Sequence, residues 1–177
     1  MDFETRLTVS EEEYLEMIRL KTAVLLACSL KSGALLANSG SEIANQLYDF
    51  GINLGLAFQL QDDLLDSFGN QKTFGKRIGG DIVANKKTYL LIQALATASV
   101  TQKAELLRWI DKKDFIKEEK INAVKNIYNQ LNIKELTQSK IDYYFQKASS
   151  IIQKLAIDEN KTEPLVVLSN QMLKRNY

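Results

Sequence analysis

The stretch "FQLQDDLLD", residues 58–66, decides how this chain is read. It places Asp62, Asp63 and Asp66 at the end of one of the most apolar runs in the sequence. Asp is a poor helix former, and like charges three or four residues apart cost roughly 0.2–0.5 kcal/mol per exposed pair. The cost rises where the dielectric is low. With ~100° per residue and Gln59 taken as zero, Asp62 falls near ~300°, Asp63 near ~40°, Asp66 near ~340° and Gly55 near ~320°. Three carboxylates, an amide and a glycine therefore share a face about 100° wide. Phe58, Leu60, Leu64 and Leu65 cover the remainder, so the polar stripe is the narrow one and the rest must be packed. One reading is a solvated acidic helix end before a turn at residues 67–70. The other is a hard cation, because magnesium takes a few carboxylates together with waters and substrate phosphate oxygens.

Working outward, the helix carrying the stripe is expected from about Ser41 to Asp66. Between Ile43 and Gln61 its only ionisable side chains are Tyr48 and Asp49, which predicts burial over much of its circumference. Gly51 and Gly55 lie four apart and would admit another helix, or a ligand, at close range. An earlier helix from about Glu11 to Ala37 opens on Ser10 and Glu13, a capping box. On it Tyr14, Met17, Ile18 and Leu25 fall within about 60° of Lys21. Such a lysine either snorkels to water or points into a cavity that holds an anion. Cys28 is expected as a small buried hydrophobe.

After the stripe, "SFGNQKTFGKRIGG", residues 67–80, holds four of the eight glycines and reads as a loop. Helical periodicity resumes at residues 81–99, with Asp81 as N-cap. Further helices are expected over about 101–110, 114–131, 133–157 and 164–175, with Pro164 in the first turn of the last. "DKKDFIKEEK", residues 111–120, reads as a solvated face and turn. Lys76 in the glycine-rich loop and Lys86 at the following helix stand where lysines and backbone amides meet phosphate oxygens. A nucleotide P-loop is excluded. Gly69 and the Gly75–Lys76 pair are separated by five residues rather than four, and Arg77 stands where Ser or Thr is required.

Composition narrows the chemistry. The 177 residues include one Cys, one Pro and no His, and the net charge is +1. One proline among abundant Leu, Ala, Lys, Glu and Ile predicts an all-α fold. Without histidine, the commonest general base and most zinc sites are gone, leaving carboxylates, Lys, Tyr, hydroxyls and oxygen-held metals. The balanced charge indicates neither nucleic acid nor an acidic membrane surface. No apolar run reaches the ~20 residues of a bilayer span. The polar, acidic start "MDFETRLTVSEEE" does not resemble a secretory leader. A lone cysteine suits a reducing, cytoplasmic setting.

These motifs together resemble a known family. "FQLQDDLLD" followed by "GKRIGGDIVANKKTYLL" is similar to the second aspartate-rich region of trans-isoprenyl diphosphate synthases (polyprenyl synthetases). That region reads F-Q-x-x-D-D-x-x-D, then G-K-x-x-G-x-D and a later G-K-x-T. "EEEYLEMIRLKTAVLLACSLKSGALLA" resembles the family's Y-x-x-M-I-x-x-K-T segment. The likeness is strong over residues 1–100, and beyond them it continues only as helix. It implies an all-α, isoprenoid-synthase-type helical bundle, of which this chain would be the C-terminal half and one helical domain portion. Family members are about twice as long, and no counterpart of their first aspartate-rich motif occurs here. The resemblance implies a magnesium (Mg2+) site to which Asp62, Asp63 and Asp66 contribute, with Asp62 the direct ligand. It assigns Lys21, Lys76 and Lys86 to the diphosphate of an allylic substrate, and Thr22 and Gln59 to the neighbourhood of the reacting carbon. Asn85 departs from the family by replacing the glycine of G-K-x-T.

The implied reaction is head-to-tail condensation of an allylic diphosphate with isopentenyl diphosphate, releasing diphosphate, in a homodimeric enzyme. The fragment alone is expected to be inactive. Three other readings compete with it. A non-catalytic regulatory subunit of a heteromeric prenyl synthase would often lack the aspartates kept here. An unrelated helical interaction domain would leave them as solvated surface. A terpene cyclase normally mixes Asn, Ser or Thr and Glu in its second metal motif.

Overall fold

The structure, a computed structural model, describes residue 6, residues 8–69 and residues 78–173. Regular structure among the described residues is entirely helical. Helix α1 (Glu11–Ile18) opens on the expected capping box: Glu13 N–H donates to Ser10 Oγ at 3.2 Å and Ser10 N–H to Glu13 Oε2 at 2.9 Å. It passes through a π-helical turn (Arg19–Ala23) into α2 (Val24–Leu36). Buried side chains along this rod are Tyr14, Ile18, Ala23, Ala27 and Ala34. Ile18 and Ala23 are five apart where the flanking steps are four, because a π-turn inserts an extra residue into the helical register.

Two expectations are corrected here. Leu25 does not share the buried face of Tyr14 and Ile18 but is 74% exposed, and Cys28 is exposed rather than buried. A straight helix of constant pitch, the basis of the Leu25 reading, does not exist between residues 18 and 24.

Helix α3 (Ser41–Phe68) is unbroken. It is followed by α4 (Gly80–Val83), α5 (Tyr89–Thr97), α6 (Val100–Asp111), α7 (Lys117–Gln130), α8 (Ile133–Lys154) and α9 (Glu159–Leu173). The single helix expected over residues 81–99 is two. Asn85 takes a left-handed conformation at φ 54°, which an α-helix cannot contain. Thr88 then caps α5, accepting from Leu91 N–H at 3.4 Å. Asp81 lies inside α4, whose N-cap is Gly79. The last helix begins earlier than expected because Asp158 accepts from Asn160 N–H through Oδ1 (3.0 Å) and from Lys161 N–H through its carbonyl (2.9 Å). Pro164 consequently stands within α9 rather than in its first turn. Within the charge run, Lys120 is 1% exposed, so that segment is not wholly a solvated face.

The chain forms two compact units. One comprises residues 62–138 with the stretch ending at Tyr14. Here α7 packs on α4, α5 and α6, burying Ile82, Leu90, Leu106, Val124, Ile127 and Tyr128. The other comprises Leu15–Gln61 and the chain from Ser139. Its core gathers Ala34, Ala44, Leu47, Phe50, Leu54, Ala148, Ile152 and Leu155. Within it the α3 glycines meet a helix, not a ligand. A Cβ at Gly51 would stand 2.6 Å from Ala27 Cα, and one at Gly55 2.6 Å from Ala23 Cα. Glycine permits this backbone approach because it lacks a Cβ, and the π-turn is what brings Ala23 and Ala27 into step with it. No described helix is long and apolar enough to cross a membrane.

Candidate functional site

Gln59, Asp62, Asp63 and Asp66 lie on the unbroken α3, as the stripe requires. The three carboxylates have different surroundings. Asp63 is buried and accepts a hydrogen bond from Tyr14 Oη at 2.5 Å. Tyr14 is itself 1% exposed, with its ring tilted against Tyr89 at 6.2 Å between centroids. Burial, reinforced by the Asp63 charge, pushes the Tyr14 hydroxyl well above its ordinary pKa, so it stays a proton donor. A charge-assisted O–H···O bond of this kind is short and strong.

Asp66 is half-buried and grips the start of α4 twice. Its carbonyl accepts from Gly79 N–H at 2.6 Å and its Oδ2 from Asp81 N–H at 2.8 Å. Gly79 has φ +84°, and a Cβ on Gly80 would stand 3.2 Å from Asp66 Oδ1, so the Gly-Gly-Asp sequence is what this close contact needs. Burial raises the Asp66 pKa, against the lowering by the Asp81 N–H bond. Asp62 is half-buried too, and makes no hydrogen bond or ion pair with any described residue.

Lys86 follows Asn85 in the turn between α4 and α5. Its exposed ammonium forms an ion pair with Asp81. That bond raises its pKa, and the charges of Asp66 and Asp63 add to the effect. Lys86 thus sits in the field of the aspartate stripe. Asp62, Asp63, Asp66, Asp81 and Lys86 all belong to one compact unit. In the other unit, Thr22 Oγ1 donates to Gln59 Oε1 at 3.1 Å, while Lys21 is exposed within the π-turn. The sequence left Lys21 snorkelling or facing a cavity, and its side chain is solvent-exposed. Lys76 lies outside the described residues.

Sequence reasoning missed three participants. The sequence places Tyr14 on an apolar stripe, and the available signal is a buried phenol facing an acidic helix. Asp81 is expected as a cap and as part of the family motif, yet it also holds Lys86 and is held by Asp66. Lys120 interrupts a face otherwise formed by Val124, Ile127 and Tyr128 at helical spacing, the same irregularity that singled out Lys21.

The donor set can be tested against a divalent ion. Among the described residues, no group of three or more His, Cys, Asp or Glu side chains stands close enough to hold a metal by itself. Asp63 and Asp66 already accept hydrogen bonds, and Asp62 accepts none from a described residue. One open carboxylate in an all-oxygen setting fits magnesium, which keeps several waters and completes its shell with substrate phosphate oxygens. It does not fit a closed protein cage.

Comparison with known proteins places the chain among its relatives. A geranylgeranyl diphosphate synthase of Saccharolobus solfataricus is 40% identical over 119 residues, 67% of this chain and 36% of that protein. Among solved structures, a geranylgeranyl pyrophosphate synthase superposes with a TM-score of 0.90 at 41% identity, covering 99% of this chain and 55% of that one. A geranylgeranyl pyrophosphate synthase from Corynebacterium glutamicum, complexed with isoprenyl diphosphate and magnesium, superposes with a TM-score of 0.88 at 26% identity, over 99% and 50% of the two chains. The present chain thus spans about half the length of the structures it matches. The all-α architecture is that of the isoprenyl diphosphate synthases. The polyprenyl synthetase family model matches residues 1–131, and the chain belongs to that family.

Proposed function

We propose that the intact protein containing this chain is an isoprenyl diphosphate synthase that condenses an allylic diphosphate with isopentenyl diphosphate and releases diphosphate. The observation that carries the proposal is the Asp62 carboxylate, unengaged by any described residue, on the stripe where Asp66, Asp81 and Lys86 are linked. A site built to receive a metal–diphosphate pair needs one carboxylate left open and a cation nearby that is already fixed. Asp63 and Asp66 serve as supports: Tyr14 orients the first, and the second anchors the turn that leads to Lys86.

Breaking an allylic C–O bond leaves negative charge on the departing diphosphate. Lys86 would exchange Asp81 for a phosphate oxygen, offering a preorganised positive charge at that place. Lys21 and Lys76 are assigned to the same diphosphate by their places in the family motifs. Thr22 and Gln59, hydrogen-bonded to each other, would turn oxygen dipoles toward the developing allylic positive charge. Magnesium bound at Asp62 would act as a Lewis acid on the phosphate oxygens. The family reading extends to a cytoplasmic homodimer. The regulatory-subunit reading has no support among the relatives described above, which are named as synthases, and the motif aspartates are all present.

The test is Asp62→Ala in the intact protein, assayed for condensation and for folding by circular dichroism. Loss of turnover by roughly a hundredfold or more, with helicity retained, is the expected outcome. Near-normal turnover by a folded Asp62→Ala protein overturns the proposal.

A further inference from the structure

We infer that Asn85 and Lys120 form a positioning pair that fixes the turn carrying Lys86, so that this lysine meets a diphosphate at a defined place. The inference rests on the reading of Lys86 as a diphosphate ligand and extends it to two residues outside the aspartate motif.

Lys86 lies between α4 and α5, in a turn whose backbone is tied by Asn85 N–H to Ile82 O (3.2 Å) and Lys86 N–H to Asp81 O (3.0 Å). Both bonds return to α4, a helix of only four residues. Anchoring to the longer helices comes from the Asn85 side chain. Its Nδ2 donates to Ile110 O at 3.0 Å, a carbonyl in the last turn of α6 that lacks an intrahelical partner. Its Oδ1 accepts from Lys120 Nζ at 2.6 Å. One amide therefore joins the turn to α6 and to α7 with both of its polar atoms.

Lys120 has no other evident reason to be where it is. A lysine at 1% exposure is costly to desolvate unless it is paired. Its ammonium faces Asn85 and the Phe115 ring, 4.3 Å from the centroid. Burial also lowers its pKa, in keeping with a cation kept from water. The left-handed conformation at residue 85 would come at no steric cost with glycine, the residue that the resembling family motif carries there. Asparagine gives up that ease and supplies two anchors instead. The side chain, not the backbone, is what this position uses.

The experiment measures binding of inorganic diphosphate with saturating magnesium to the intact protein by titration calorimetry. The variants are Lys86→Ala, Lys120→Met, Lys120→Arg, Asn85→Gly and the two doubles pairing Lys86→Ala with Lys120→Met or Asn85→Gly. Lys120→Met is expected to weaken binding roughly three- to tenfold, the worth of one hydrogen bond, and Asn85→Gly, which removes two, by at least as much. Lys120→Arg keeps a donor and is expected to restore most of the affinity. In the Lys86→Ala background neither change should cost more than about a further twofold, because the pair acts through Lys86. Full additivity in the doubles overturns the inference, as does unchanged binding in both single variants while Lys86→Ala weakens it. Unchanged binding in Lys86→Ala overturns the reading of Lys86 itself. Should Lys120→Met fail to fold, Asn85→Gly and its double decide the matter by the same criteria.

Discussion

The two stretches of α3 around Gly51–Gly55 and Asp62–Asp66 are held by opposite means. Around the glycines, backbone meets backbone: a Cβ at either position would press within 2.6 Å of an alanine Cα on the neighbouring helix. No charge takes part, and what specifies the contact is the absence of a side chain. Around the aspartates, each contact is a hydrogen bond from a named donor, Tyr14 to Asp63 and Asp81 N–H to Asp66. There the carboxylates do the specifying, and one of them, Asp62, is engaged by no described residue. The first stretch is a fixed joint that can only be loosened. The second is a set of charges whose balance a ligand or a proton can change.

The largest stability effect expected is at the glycine joint. Gly55→Ala should destabilise by about 1–3 kcal/mol or more, since two backbones must separate to admit a methyl group. Gly33, on α2, is the internal control, because a Cβ there meets nothing within 4 Å. Gly33→Ala should stabilise by about 0.4–1 kcal/mol through helix propensity and a less disordered unfolded chain. Urea midpoints of the two variants should move in opposite directions. If both stabilise, the close approach of the helices is wrong.

Next in size is Tyr14→Phe, which keeps the ring packed on Tyr89 and removes only the donor to Asp63. The loss should be about 1–3 kcal/mol, the cost of depriving a buried carboxylate of a hydrogen bond. An unchanged denaturation midpoint would mean that this bond does not form, and would weaken the contrast between the two stretches.

What the sequence disclosed follows the same division. The stripe was readable because α3 is a regular helix, and constant pitch is all that a wheel requires. The glycine approach and the capping box at Ser10 were equally local signals. The π-turn at Arg19–Ala23 was not readable, because a one-residue insertion in helical register leaves no compositional mark. It misplaced Leu25. The break at Asn85 was hidden for a related reason. Its left-handed conformation is supported by α6 and α7, elements that begin 15 or more residues later in the chain. Tyr14 and Asp63, 49 residues apart, are likewise joined only by tertiary packing.

The smallest effect expected separates the two stretches by their response to protons. Burial raises the pKa of Asp66 above the ordinary aspartate value. The folded protein therefore holds this proton more tightly than the unfolded chain does. In the window between the ordinary value and the raised one, the folded state binds more protons, so stability falls as pH rises through it. Below that window both states are protonated and Asp66 contributes no pH dependence. Above it the penalty for a half-buried charge is complete. Asp66→Asn retains an oxygen for Asp81 N–H while removing the titration. With EDTA present, urea midpoints taken between about pH 3 and 7 should show the variant gaining on the parent as pH rises. Gly55→Ala, whose clash involves no ionisable group, should remain offset from the parent by a constant amount over the same range. A parent protein that gains on Asp66→Asn with rising pH would show that the α4 amides, rather than burial, govern this carboxylate. Added magnesium should shrink the difference if it binds the ionised stripe, since a ligand of the folded state stabilises it in proportion to its occupancy.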